Sequence, residues 1–456
     1  MNFKQKREKT SARWNFFSKA DVLGSFDFMT LTISLDSLGM DDFNRLEGLL
    51  ASGDYKDGVL NRNLEYDLYE NLKKLYGLSF HEYTHFIDST STAWGATFLL
   101  SLNEAYLTNP DIFGVEESEY HKAKYFFDLA KSFKLPDYYT AKTPEVDPST
   151  PWSYQVTAGK RFNNKGELSD TPITFISFGN SNGERIVRSP LSMIAVLEVS
   201  AMAQEILYKS FLVNVLPEDS RLVESSLLER ESLSFIYNHD LTEYSACAHL
   251  VANTHGFTDI IVAYRVCEKI ATVVLNFTDK CFDEICFSKS AKKILQIDKD
   301  ESLNVVYKSS IKNRDRGFIF YLICLLMPKG SYEYSEEIIR GISDSLGNMG
   351  LNYHQVIMAA RREVEVASQT LSTSPIRSVS KLSGSLLKNF DQKLAGKQGM
   401  YDFSSFDLPP VLLGDCETVT ASPGVDNALK KFDIEEAYNE LVEGQLWVER
   451  FSEACS

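Results

Sequence analysis

Residues 64–95, LEYDLYENLKKLYGLSFHEYTHFIDSTSTAWG, carry the pattern that decides the fold. Leu64, Leu68, Leu72, Leu75 and Leu78 recur at steps of three and four, which predicts a helix with one apolar face running to Ile87. Gly77 weakens that helix without ending it. The segment Ser89–Gly95 (STSTAWG) breaks the pattern, and a second apolar helix follows to about Leu107, stopped by Asn109-Pro110. Late in the first helix stand His81, Glu82 and His85, an HExxH motif. Side chains four apart share a helical face, so both imidazoles can reach one metal ion. Glu82, next to the first histidine, is placed to take a proton from a water at the open metal position. A polar HExxH in an apolar helix is costly to bury without a ligand. The competing reading is two histidines satisfied by ordinary hydrogen bonds. Asp88, three residues beyond His85, either orients a histidine or is a polar helix end.

A catalytic zinc takes three protein ligands and keeps a position for water. Two glutamates compete for the third place. Glu104, in SLNEAY, lies nineteen residues beyond His85. If the turn at 89–92 is tight, an antiparallel hairpin carries it past the metal by roughly 9 Å at 1.5 Å of rise per residue. Glu198, in MIAVLEVSAMAQE, shares its helical face with Ile194, Ala195, Ala201 and Met202. A carboxylate in that stripe needs a partner, and a metal would supply one. Burial cost places Glu198 ahead of Glu104. A core glutamate paired with Arg or Lys, or a helix turned so that Glu198 and Glu205 face solvent, remains the alternative.

Outward from these segments, Ser25–Leu35 (SFDFMTLTISL) alternates as a strand. Residues 152–188 read as a β-meander with turns at NNKG and GNSNG, and its edge is a candidate for binding an extended peptide. Ser189-Pro190 predicts a helix start, and Asp240-x-x-Glu243 predicts another that ends at Gly256. Gly317–Met327 (GFIFYLICLLM) is too short to span a bilayer and reads as a buried helix. The last thirty residues read as one amphipathic helix, roughly 426–454. The fold class is therefore α+β, mainly helical, with a small antiparallel sheet and a helical C-terminal region. The divisions are a basic N-terminal extension (1–24), a core (25–260), a helical region (261–366), a Ser-rich linker or loop (367–387) and a C-terminal helical segment (388–456).

The 456 residues carry a net charge of -16, which disfavours a dedicated nucleic-acid binder. Hydrophobic residues at 44% and charged residues at 24% exclude global disorder. Seven cysteines without CxxC spacing fit free thiols, with Cys247, Cys267, Cys281 and Cys286 read as core residues. With neither a signal-peptide core nor a membrane span read from the sequence, a cytoplasmic location is expected. No phosphate-binding Gly loop or GxSxG elbow is found. His239, just outside the helix that follows Asp240, is a weak candidate donor to the oxyanion of a tetrahedral intermediate. Tyr244, His249 and His255 lie in the same segment.

FHEYTHFIDSTSTAWG, followed far downstream by LEVSAMAQE, resembles a loose group of uncharacterised bacterial and phage zincin-like proteins. These pair an HEYxH helix with a later ExxA-type glutamate helix. The Asn-Glu-Ala around Glu104 is similar to the thermolysin-like gluzincins. The first resemblance covers about residues 60–260 and implies a zincin-like core, Zn2+, His81, His85 and Glu198 as ligands, and Glu82 as base. The group often has Gln where this chain has Asp88, so that position inherits no role. The expected activity is zinc-dependent hydrolysis of peptide bonds in a protein or peptide substrate. The alternative is a non-catalytic interaction protein that keeps the fold with a structural or absent metal. A purely structural site needs no base, and the intact Glu82 speaks against that alternative.

Overall fold

The HExxH segment lies in helix α2 (Tyr66–Thr90), preceded by α1 (Met40–Ser52) and followed by α3 (Ala93–Tyr106), in the computed structural model, which describes residues 23–52, 64–163, 165–421 and 427–455. Only Ser91 and Thr92 separate α2 from α3. The Thr92 hydroxyl donates to the Asp88 carbonyl at 2.7 Å and accepts from Gly95 N–H at 3.0 Å, ending one helix and capping the next. The corner is tight enough that a Cβ on Gly95 would lie 2.3 Å from the Asp88 carbonyl oxygen. Glycine is therefore the residue this turn admits.

Ser25–Leu35 is a hairpin and not the single strand its alternation predicts. Strands β1 (Ser25–Asp27) and β2 (Thr32–Leu35) pair antiparallel. The Asp27 carboxylate accepts from Met29 and Thr30 N–H, and Leu31 takes a left-handed φ of 55°, so the chain reverses inside the run. The expected meander forms as β4 (Ser153–Phe162), β5 (Leu168–Gly179) and β6 (Arg185–Pro190), with β3 (Ala141–Lys142) added beside β6 in an antiparallel sheet. Far downstream, β7 (Val411–Leu413) joins β2 in parallel and β8 (Thr418–Val419) completes that second, mixed sheet. The β1–β2 hairpin is the sheet element that packs on α2.

Helix α4 (His121–Phe133) packs on α3. Helix α5 (Met193–Asn214) packs along α2. It starts later than Ser189-Pro190 predicts: both residues finish β6, opposite Ile176 and Phe175, and Ser192 is the N-cap. Helices α6 (Glu218–Ile236) and α7 (Thr242–His255) follow. Asp240 does not cap α7, because its carboxylate pairs with Lys142. Strands β4 and β6 of the meander pack on α7.

Helix α8 (Ile260–Leu275) and the buried α9 (Arg316–Leu326) continue the bundle, with α10 (Ser335–Asn348) and α11 (Tyr353–Leu371). The Ser-rich stretch read as a linker is packed. It holds the end of α11 and all of α12 (Arg377–Ser383), whose first N–H groups are received by the Glu440 carboxylate at 2.9 and 2.8 Å. Its hydroxyls find partners inside the fold, buried Ser378 at Glu440 and partly buried Ser368 at the Ser383 carbonyl. Composition reads such serines as solvated, whereas here they bond to backbone and carboxylate. Helices α13 (Leu386–Ala395) and α14 (Ile434–Ala454) complete the chain, the last one capped by Asp433 and shorter than its amphipathic pattern predicts.

One hydrophobic cluster extends from Phe26 to Val448 across the proposed divisions. The fold is α+β and mainly helical. Among the described residues no helix is long and apolar enough to cross a membrane. All seven cysteines are free; Cys247, Cys267 and Cys281 are buried, but Cys286, expected in the core, is exposed. The basic extension falls, up to residue 22, outside the described residues.

Candidate metal centre

The packing of α5 on α2 brings His81, His85 and Glu198 into one group, with one ligand atom from each lying within 4.8 Å of the others. His81 Nε2 and His85 Nε2 are 3.2 Å apart. Glu198 Oε2 lies 3.5 Å from the first and 3.7 Å from the second. Donors held tetrahedrally at about 2.0–2.1 Å from a zinc ion are roughly 3.3 Å from one another. The three separations match that spacing. Glu198 is 1% exposed, and its Oε2 makes no hydrogen bond. A buried carboxylate oxygen facing two imidazole nitrogens is relieved by positive charge, from a bound cation or from a protonated ring. The residues therefore fit a metal ion, though the geometry alone does not select which one.

A second carboxylate steadies the first histidine. Glu205, two turns beyond Glu198 on α5, lies with Oε2 3.2 Å from His81 Nδ1, while Lys209 Nζ donates to its other oxygen at 2.7 Å. This chain fixes the ring so that Nε2 points to Glu198. Burial opposes ionisation of Glu205, but Lys209 and His81 outweigh it and hold the carboxyl down to about 2. Burial likewise opposes protonation of His81, yet Glu198 and Glu205 hold its imidazole well above the ordinary range. His85 moves the other way, because burial there prevails over Glu198. The Glu198 carboxyl is lowered in spite of burial by the two histidines. Sequence reasoning missed Glu205 and Lys209, reading Glu205 only as part of a solvated stripe. The available signal was their spacing, i, i+7 and i+11 from Glu198, which places all three on one helical face.

Glu82 is 4% exposed and borders a cavity of about 270 Å³ together with His81. Leu78, Met202, Ile206 and Phe235 give that cavity apolar walls, and Gly24 closes one side. A Cβ on Gly24 would stand 3.2 Å from Glu82 Oε1, so the backbone before β1 comes right up to the carboxylate.

The other candidates lie elsewhere. Glu104 is exposed on α3, with Lys122 among its electrostatic neighbours, and is not part of the group. The tight corner at Ser91-Thr92 turns α3 back along α2, and Glu104 ends on its outer face. His239 is 40% exposed beside Asp240 and does not line the cavity, whereas Tyr244 of α7 does. His249 is buried against Trp152 and Phe178, its Nε2 bonded to the Ile236 carbonyl. His255 Nε2 is 3.2 Å from the Cys324 carbonyl. Asp88 is buried and bonded to Lys393 of α13 at 2.5 Å.

No family model, no curated protein and no solved structure matches this chain.

Proposed function

We propose that this protein is a zinc-dependent metallopeptidase acting on a protein or peptide substrate. The observation that carries this reading is the ligand-atom triangle of His81, His85 and Glu198 with Glu82 beside it at a cavity. Two imidazoles and one carboxylate form a donor set that zinc uses in catalysis. When bound, zinc supplies Lewis acidity toward a water and the carbonyl of the scissile bond. The chain supplies the remaining chemistry. The Glu82 carboxylate takes the proton from the attacking water and delivers it to the leaving amine nitrogen. Glu205 and Lys209 hold the His81 ring in position. The apolar walls receive an apolar substrate side chain and exclude bulk water. Tyr244, a phenol hydroxyl bordering this cavity alongside Ser232, takes the donor role first expected of His239. The zincin-like core implied by the motif resemblance belongs to the same proposal.

The test compares wild type with Glu82→Gln for bound metal and for new protein termini generated in cell extract. One zinc per chain in both proteins, with cleavage by the wild type alone, is the expected result. A wild type without metal, or a variant that cleaves equally well, refutes the proposal. Metal in both with cleavage by neither favours the non-catalytic alternative.

A further inference from the structure

A cavity of about 670 Å³ lies apart from the metal group, between α3, α4, β5 and the start of α9. Its size falls in the range of small-molecule sites. One wall is apolar: Trp94 stacks on Phe98 at 5.8 Å, and Phe133, Leu129 and Ile173 continue the surface. Tyr125 and Val366, both lining it, are 62% and 54% exposed, which leaves apolar side chains open to solvent.

The lining also gathers guanidinium groups in a chain of net charge -16: Arg161, Arg314, Arg316 and Arg362. Arg314 is engaged by Asp279 and Asp283. Arg161 and Arg316 have no carboxylate within ion-pair distance among the described residues. Arg161 donates one hydrogen bond, to the Ser132 carbonyl, and Arg316 one, to the Phe277 carbonyl at 2.8 Å. A guanidinium has five N–H donors, so each keeps donors to spare. Asp279, Asp315 and Glu363 also line this cavity, but Asp315 is occupied as the N-cap of α9, accepting from Phe318 N–H at 3.0 Å. Burial lowers Arg316 to about 10 and raises Asp315 to about 6. Asp279 and Glu363 act on Arg316, and Asp315 on Arg161, only from beyond ion-pair distance, so an anionic head group still finds unengaged N–H donors on both guanidinium groups.

We propose that this cavity binds a small amphipathic carboxylate, its head group on Arg161 and Arg316 and its apolar body against Trp94, Phe98 and Phe133. The site is independent of the metal group, so its test stands whatever the outcome for peptidase activity.

Calorimetric titration of the full chain with decanoate and with 2-naphthoate tests it, with decyltrimethylammonium as the cationic control. One or both acids bind at up to about 1 mM, and the cation does not. Binding of decanoate alone assigns an alkyl body; binding of 2-naphthoate alone assigns an aryl one. Arg316→Gln and Arg161→Gln each weaken binding about tenfold or more, and Leu100→Trp, which fills the cavity from α3, abolishes it. Thermal unfolding of each variant identifies any that fails to fold, and the remaining variants then decide. Absence of binding by both acids, equal binding of the cation, or unchanged affinity in the folded arginine variants overturns the proposal.

Discussion

Lys393 donates to Asp88 at 2.5 Å although 305 positions separate them, and both side chains are buried. This ion pair fastens α13 to the C-terminal end of the HExxH helix, three residues past His85. Lys393 also meets the Tyr401 hydroxyl, which donates to Glu268 of α8 at 3.0 Å. Lys393→Met leaves Asp88 buried without its counter-ion, and removing one partner of such a pair costs about 3–5 kcal/mol. The denaturation midpoint should fall accordingly, and Asp88→Leu combined with Lys393→Met should recover much of the loss. A double variant no better than the single one would show that the pair is not the source.

Gly95 offers a test of the corner between α2 and α3. Gly95→Ala places a Cβ into the Asp88 carbonyl, where backbone must move. A loss of about 1–3 kcal/mol or more is expected by urea unfolding. Gly114, which has open space around it, has a left-handed φ of 61° and so tests conformation instead of crowding. Thus Gly114→Asn should cost much less than Gly95→Ala.

Glu205→Gln removes the charge behind His81 and the partner of Lys209. Such supporting contacts are worth about 10–100-fold in metal affinity. Competition with a chromophoric chelator should show zinc binding weakened to that extent with the fold retained. Unchanged affinity would mean that Glu205 serves only Lys209.

A ligand that binds only the folded chain stabilises it by about 4 kcal/mol at a thousandfold excess over its Kd. Zinc should therefore raise the melting temperature of the wild type, and a chelator should reverse the gain. Glu198→Ala should lose this response and Glu104→Ala should keep it. The opposite pattern would exchange the two glutamates.

His249 supplies a pH signature distinct from the metal group. Burial lowers its imidazole to about 4, so the folded state favours the neutral ring. A lowered folded-state pKa means that the stability is present above the ordinary value of 6.5 and is lost as pH falls toward 4. The shift corresponds to roughly 3 kcal/mol. His249→Phe should flatten the fall in unfolding free energy between these values, and an undiminished fall would locate it in other groups.

The sequence by itself determined the HExxH helix, the apolar helix after it, the three-stranded meander and the buried α9, because each rests on local periodicity or turn chemistry. It also nominated Glu198, through the cost of a carboxylate in an apolar stripe. Only the tertiary structure decided that α5 lies along α2 with Glu198 facing both imidazoles, and that Glu104 points outward. That Glu205 and Lys209, whose shared face with Glu198 the spacing shows, stand behind His81, and that Asp88 binds Lys393, were likewise decided only there. So was the packed state of residues 367–387, where serine hydroxyls find Glu440 and backbone carbonyls. The reason is physical. Periodicity reports which face of an element is buried, but the partner of a buried charge depends on how helices far apart in the chain cross, and no local pattern encodes that crossing.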